Sequence, residues 1–443
     1  MKKKIVKKKN NHIVFSFLSF FIPLLIYIKT MAPTLSLWDC GEFIACSVTL
    51  GVPHPPGTPL FLLLGNVFSH IPIFSDIGAR VNFISPIVSA LSVMFLYLIV
   101  LQLIKKIIVN NTNANLNNDN DVSNAINKKI EIAQYSAFIA ALTFSVTDSH
   151  WFNAVESEVY SLSTFFTSIV VWLILKWDTK PYANNSIKYI ILISYMMGLA
   201  IGIHLLNLLA IPCIIFIIYY TNDISTKLNE ISYYKISLDI LKVSIYSLIV
   251  FGTIYYLIIL KIPWMASKID SPHFLLIFIY FGCLFLCYYF ITNNEIQFSI
   301  ISVCLLVVLI GFSTYSTIFI RASQHPSINE NNPDTAKSFL YYMNREQYGN
   351  WKKLDPKSTI QRQENTNWRR YTENRSNPSN ADLAGFVWNY QIKEMYLRYF
   401  AWQFIGRGDY NWDLNKKDGT YIKSLEGVNP TRYIIPLAFI FGI

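Results

Sequence analysis

The chain has 443 residues, of which 53% are hydrophobic, 16% aromatic and only 14% charged, with a formal net charge of +10. Soluble domains carry about a quarter charged residues, and several apolar runs here pass the ~20 residues needed to cross a bilayer. A soluble globular enzyme is thereby excluded, and an all-α polytopic membrane protein is expected.

The N-terminus reads MKKKIVKKK. These lysines are a topogenic flank under the positive-inside rule. No folded basic module follows that could serve nucleic acid. No small-residue cleavage site follows residues 12–28, so the first apolar run is read as an uncleaved helix rather than a signal peptide. Residues 1–12 are then a basic cytoplasmic tail. Residues 13–320 are a transmembrane domain of about nine spans, at 13–28, 82–104, 132–149, 161–177, 187–203, 206–220, 236–260, 273–291 and 297–320. The short apolar segment 57–71 is expected to lie at the interface or dip partly in.

A cytoplasmic N-terminus gives cytoplasmic connections rich in lysine, including Lys105, Lys106, Lys128, Lys129 and Lys180. The linker 105–131 contains NNTNANLNNDNDVSNAIN at 110–127, an Asn-rich stretch without apolar pattern that is expected to be disordered. Nine spans leave 321–432 outside as a polar, Trp- and Tyr-rich extracytoplasmic module, in which Asp334 is expected to start a helix. A further span begins near Tyr433 and stops at Ile443, too few residues to cross a bilayer. The six cysteines show no zinc spacing. Cys40 and Cys46 are poorly placed for a disulfide if they share a helix.

Span parity gathers ionisable residues from distant segments on one membrane face. Asp39, Glu42 and His54 lie in LWDCGEFIACSVTLGVPHPPG. Glu156 and Glu158 lie in HWFNAVESEVYSLS, beside His150. His204 ends the fifth span, and Arg321 is the first charge after the ninth. Such groups near a bilayer are costly unless paired or hydrated, which makes them functional candidates. Each also has a structural reading. Asp39 and Glu42 fit a capping box, and His54-Pro55-Pro56-Gly57 fits a turn before a helix. Glu156 and Glu158 fit solvated loop acids, His204 an interhelical hydrogen bond, and Arg321 an interfacial anchor. Their convergence favours chemistry: a carboxylate as general base toward a hydroxyl, with Arg and His⁺ meeting a phosphate leaving group. A substrate with a lipid tail and a phosphate head suits such a place.

An acidic pair in the first outer loop followed by His-Pro-Pro resembles the class C membrane glycosyltransferases, particularly the protein O-mannosyltransferases. WDCGEF…GVPHPPGTPLF, HWFNAVESEVYSLS, MGLAIGIHLLNLL and IRASQHPSINENNPDTAKSFLYYMNREQYG resemble, more closely, a bacterial membrane family once labelled a domain of unknown function. That family is related to the animal transmembrane O-mannosyltransferase of plexin-type receptor domains, and the likeness runs over about 13–360.

The resemblance implies a class C glycosyltransferase-like bundle with a polyprenyl-phosphate sugar donor, mannose first among the sugars, and Ser/Thr of an exported protein as acceptor. It places the enzyme in the bacterial inner membrane with its active face periplasmic. By position Asp39 matches the catalytic acid and Glu42 its companion, although in the mannosyltransferases the two acids are adjacent and here Cys40 and Gly41 separate them. His54, Glu156, Glu158, His204 and Arg321 are the expected substrate-binding residues. No metal or other cofactor is expected, and no nucleic-acid partner. A same-fold enzyme acting on a lipid or glycan acceptor, and a transporter or flippase, remain the alternatives.

Overall fold

The computed structural model describes residues 11–112, 119–179, 181, 186–223, 233–269, 272–349 and 377–405. Every regular element among them is a helix, apart from one isolated parallel bridge, so the protein is an all-α polytopic membrane protein. The basic tail 1–10 and the segment 433–443 lie outside the described residues.

The first helix, α1 (His12–Thr30), accommodates Pro23 in its interior. Two short helices follow, α2 (Cys40–Thr49) and α3 (Pro59–His70), so the expected outer loop is mostly helical. α3 begins with Pro59, whose missing N–H costs nothing at a first helical position. α4 (Ile77–Asn82) starts on Asp76, whose carboxylate accepts the Ala79 N–H at 3.0 Å. The long α5 (Ile84–Thr112) and α6 (Asp119–Ser145) come next, then α7 (Asp148–Asn153), α8 (Val159–Thr179) and α9 (Ile187–Ile201). A 3₁₀ turn at Leu205–Ala210 runs into α10 (Ile211–Asp223). α11 (Tyr233–Gly252) continues through a π-helical stretch, Thr253–Lys261, into α12 (Ile262–Ala266). α13 (Pro272–Thr292), α14 (Ile296–Phe312), α15 (Ser316–Ala322) and α16 (Ala336–Met343) complete the first part of the chain.

Five helical stretches among the described residues are long and apolar enough to cross a membrane: His12–Thr30, Ile77–Ile108, Val159–Thr179, Lys235–Ala266 and Ile296–Ala322. They coincide with five of the nine expected spans. The other four are also helical. α9 and α10 are shorter, at 15 and 13 residues, and α13 runs for 21 residues. α6 has a polar first half. It departs from expectation in running through the Asn-rich stretch taken as disordered, from Asp119 onward. Lys128, Lys129, Glu131 and Ala133 favour continuation of the helix.

The chain divides into two compact units, residues 1–141 with 153–347, and 142–152 with 348–443. The expected module boundary at 321 thus differs from the boundary at 347. The reason is a return of the chain onto α2 and α3 after α15. The Val52 N–H donates to the Ile328 carbonyl at 2.9 Å and the Glu330 N–H to the Val52 carbonyl at 3.0 Å. α16 is capped by Thr335 in a reciprocal box with Ser338, one residue after the expected Asp334. In the second unit, α17 (Asn380–Gly385) leads through a π-helical stretch, Phe386–Leu397, into α18 (Arg398–Ile405), where Gln403 accepts the Ser149 N–H at 3.0 Å.

Within the first unit α9 and α14 cross at Gly198 and Gly311. A methyl on Gly311 would lie 2.5 Å from the Leu199 nitrogen, and one on Gly198 2.4 Å from the Val308 carbonyl oxygen. Small residues let apolar helices approach to backbone contact in a bilayer, where packing rather than hydrophobic burial drives association.

Candidate functional site

The site is built on the start of α2. Trp38 adopts φ 60°, in the left-handed region that bulky residues avoid, and Asp39 follows as the residue before the helix. Its side chain makes no capping bond and stays 57% exposed. Glu42, one turn on, does not return a bond to Asp39 either. Both its oxygens turn to His54: the His54 N–H donates to Oε1 at 2.8 Å, and Nδ1 lies 2.6 Å from Oε2. The capping-box alternative is therefore not realised, and the Asp39 carboxylate is left facing solvent. His54 Nε2 is 4.0 Å from Asp39 Oδ2, so the imidazole lies between the two acids.

The corner that presents His54 is braced from behind. Gly57, at φ 77°, donates its N–H to the His54 carbonyl at 2.9 Å. The buried Tyr342 of α16 donates its hydroxyl to the Pro53 carbonyl at 2.6 Å. A Cβ on Gly57 would sit 2.6 Å from that hydroxyl. Arg321 serves the same corner: Nε donates to the Leu50 carbonyl at 2.8 Å and an Nη to the Thr49 carbonyl at 3.1 Å, with Gln324 taking a third N–H. A cation on the last carbonyls of α2 complements the helix dipole. Arg321 is thus a strut of the corner, with three donors spent on protein.

Electrostatics follow from this geometry. The hydrogen bond to Glu42 raises the His54 pKa against the opposing effect of burial; the charges of Glu42 and Asp39 add to it and Arg345 opposes it. Burial would raise the Glu42 pKa, but the His54 side-chain and backbone bonds outweigh it and hold the carboxyl low. Glu156 and Glu158 flank a tight turn before α8, with the Glu158 N–H on the Glu156 carbonyl at 2.9 Å. They are buried, not solvated. One Glu156 oxygen accepts from Ser36, and the other has no hydrogen-bond partner. Burial, then the charges of Asp39 and Glu156, push Glu158 to about 7. A buried carboxyl that titrates near neutrality in a polar cluster is a candidate for acid–base work.

His204 sits in extended backbone before the 3₁₀ turn, and its Nδ1 accepts the Leu206 N–H at 3.1 Å. That bond fixes Nδ1 as unprotonated. Burial and then Arg345 lower its pKa, which favours a neutral imidazole with its proton on Nε2 over a cation. Its ring is 5.4 Å from that of Tyr160. Arg345 is the residue that the sequence reading missed. It takes φ 56° just past the end of α16, and its charge is felt by both His54 and His204.

Asn82 was also missed. It is fully buried, and its amide donates to the Ala32 carbonyl at 2.9 Å and the Thr34 carbonyl at 2.7 Å. Its oxygen accepts from Ser157 at 2.5 Å and from the Cys40 thiol at 3.7 Å. One side chain thus ties the loop before Asp39 to the Glu156–Glu158 turn. Cys40 and Cys46 are buried free thiols. Replacing Asn82 with Leu strands two carbonyls and a hydroxyl, at ~1–3 kcal/mol for each buried group left unpaired. We expect a fall of several degrees in melting temperature, measured in detergent.

Among the described residues, Asp39, Glu42 and His54 offer ligand atoms within 4.8 Å of one another and could hold a divalent cation. Such an ion would have to displace the proton that Glu42 stabilises on His54. Geometry and charge together suit proton transfer from a hydroxyl at Asp39, with cationic groups beside it.

The fold and the site define an all-α membrane protein with a carboxylate–imidazole cluster at the ends of its helices. Residues 39–227 match the family model described as the protein O-mannosyl-transferase TMEM260 N-terminal domain. The Dictyostelium discoideum protein O-mannosyl-transferase tmem260 is 27% identical over 222 residues, covering 47% of this chain and 23% of that protein. The Mus musculus protein O-mannosyl-transferase TMEM260 is 24% identical over 190 residues, covering 43% and 23%. These matches support an O-mannosyltransferase-like family, and the chain matches less than a quarter of the length of either relative. No solved structure matches. The matched segment contains Asp39, Glu42, His54, Glu156, Glu158 and His204; Arg321 and Arg345 lie beyond it.

Burial of Glu158 has a pH signature. Its folded pKa of about 7 exceeds the ordinary 4.5, so the folded state holds the proton more tightly. Stability then falls as pH rises from about 4.5 to about 7. His54, also raised, loses its contribution as pH rises through its folded pKa. Melting temperature should therefore decline from pH 5 to pH 8, and the decline should be shallower in Glu158→Gln. An unchanged slope in that variant would show that Glu158 titrates normally.

Proposed function

We propose that the chain is a membrane glycosyltransferase that moves a sugar, mannose first among the candidates, from a polyprenyl-phosphate donor to Ser or Thr of exported proteins, with inversion. The observation that carries this reading is the uncapped, half-exposed Asp39 carboxylate beside the Glu42–His54 pair. The matched relatives are protein O-mannosyl-transferases, which supports protein O-mannosylation.

In the proposed mechanism Asp39 takes the hydroxyl proton as the oxygen bonds to the anomeric carbon. The bond from that carbon to the phosphate oxygen breaks on the opposite side, and its electron pair leaves with the lipid phosphate. Protonated His54 and Arg345 meet the developing charge, and His204 adds a neutral N–H. Glu42 positions His54. Glu156 and Glu158 shape the sugar and acceptor pocket, and Glu158 is poised to hold or release a proton near neutrality. Arg321 acts through the corner that carries His54. Exposed Leu35, Leu37 and Trp38 beside Asp39 give the site an apolar rim suited to a lipid tail.

The proposed orientation has the N-terminus in the cytoplasm and the site on the periplasmic side of a bacterial inner membrane. Lysine bias supports it. In a background without the native cysteines, Asn115→Cys and Ser327→Cys should label from opposite sides; labelling from one side would overturn the topology. The activity itself is tested by incubating membranes with radiolabelled polyprenyl-phosphate mannose and separating protein from lipid. Label in protein, released by β-elimination, is expected. Label confined to lipid or glycan would replace the protein acceptor.

A further inference from the structure

At the end of the bundle opposite the acidic cluster lies a second site with different chemistry. α1, α5 and α8 each have one end near the carboxylates, at Thr30, Ile84 and Val159. Along α8 the run from Val159 to Lys176 covers about 25 Å at 1.5 Å per residue. At that far end a cavity of about 460 Å³ opens between the three helices. Its polar lining includes His12, Lys105, Lys106, Lys176 and a single acid, Asp178.

The charges do not cancel. Asp178 is already satisfied: Lys106 pairs with Oδ2, and the Thr221 hydroxyl donates to Oδ1 at 2.6 Å. Lys105 and Lys176 have no acidic partner among the described residues. The Lys176 ammonium instead lies 5.3 Å from the centre of the Trp172 ring. His12 is held in place by the Tyr97 hydroxyl, 3.3 Å from Nδ1. Leu98, Leu101 and Leu175 complete an apolar wall. The volume is that of an ordinary ligand pocket. A Trp at the edge of an apolar span marks the level of lipid headgroups.

We propose that this pocket binds the phosphate of an anionic phospholipid, with the phosphate between Lys105 and Lys176 and the acyl chains along the leucine wall. Basic pockets between membrane helices take such headgroups, because two ammonium groups held in one place await one anion. The walls of three helices, α1, α5 and α8, close around the ligand, so its occupancy joins their ends. The proposal is independent of the reaction assigned to the opposite face. In the orientation proposed above, the pocket faces the lysine-rich cytoplasmic side.

The test uses the full chain purified into phosphatidylcholine bilayers with and without phosphatidylglycerol, with retained lipid counted by native mass spectrometry. Phosphatidylglycerol should be retained by the native protein and by the Lys105→Arg/Lys176→Arg variant. Lys105→Gln/Lys176→Gln should bind it about 30-fold more weakly, at about fivefold in affinity per lysine lost. Lys128→Gln/Lys129→Gln makes the same change of charge elsewhere and should bind normally. Melting in phosphatidylcholine alone confirms folding of each variant. Equal retention by the Lys105/Lys176 glutamine variant overturns the site, and so does equal loss in the Lys128/Lys129 control. Inorganic phosphate that strips the lipid at equal concentration overturns the lipid as its source.

Discussion

Asp39→Asn loses sugar transfer by at least about 10²-fold, the low end for removal of a general base, while its melting temperature stays close to that of the native protein. The two halves of this expectation have separate causes. Asn keeps the size of Asp and can accept hydrogen bonds, but it cannot take a proton from a hydroxyl. Stability is spared because Asp39 caps nothing: α2 starts without a bond from its side chain. The 4.0 Å approach of His54 Nε2 is too long for a hydrogen bond and contributes little at a half-exposed position. Glu42→Gln should act differently. It weakens the bond that keeps His54 protonated, so activity should fall less and its pH optimum should move down. Transfer and melting are measured together. Intact transfer by Asp39→Asn would sink the mechanism, and an equal fall in melting temperature would reassign Asp39 to structure.

The parts of this site legible in the sequence are those held by short stretches of chain. Asp39, Glu42 and His54 lie within 16 positions, and WDCGEF with HPPG marks them because α2 is ten residues long and returns the chain at once. The spans are legible for a cruder reason, since long apolar runs have nowhere else to go. What escaped notice is nonlocal. Arg345 reaches the site only because 323–347 folds back and bridges Asn329 to Val52, and no local pattern announces that return. The composition changes at 321, so the segment read as the start of a separate module, whereas its first part braces the His54 corner. Arg321 carried a charge at the right place in the chain, but its donors go to the last carbonyls of α2, a destination that depends on how two distant helices meet. Asn82 left a faint signal, a lone amide beside an apolar run, and four satisfied hydrogen-bonding positions explain it only once its neighbours are known. The alternative of solvated loop acids for Glu156 and Glu158 came from their place near a loop, yet the turn before α8 buries both.

Arg345→Ala raises the donor concentration needed for half-maximal transfer by about 10-fold to 100-fold, the worth of one hydrogen bond to a charged group. Acceptor dependence changes little. The argument rests on where its charge acts. Arg345 depresses the proton affinity of both His54 and His204, so its positive charge lies close enough to act on each. A positive charge there opposes the very protonation that Glu42 promotes on His54, and an anionic ligand would relieve that opposition. A polyprenyl phosphate supplies that anion, and its leaving oxygen gains charge as the sugar departs, so the arginine stabilises the transition state more than the ground state. Its removal should also raise the pKa of His54 and His204, which shifts the alkaline limb of the pH profile upward while the overall rate falls. Arg321→Ala offers the contrast. It uncaps α2 and loosens the corner, so it should lower the melting temperature and impair use of donor and acceptor alike. Arg345→Lys should restore part of the donor affinity, as a point charge without the forked geometry. Donor and acceptor titrations on the three variants, with melting curves beside them, separate the roles. Donor dependence that stays native in Arg345→Ala would remove this arginine from the phosphate site and leave His54 as the nearest cation there.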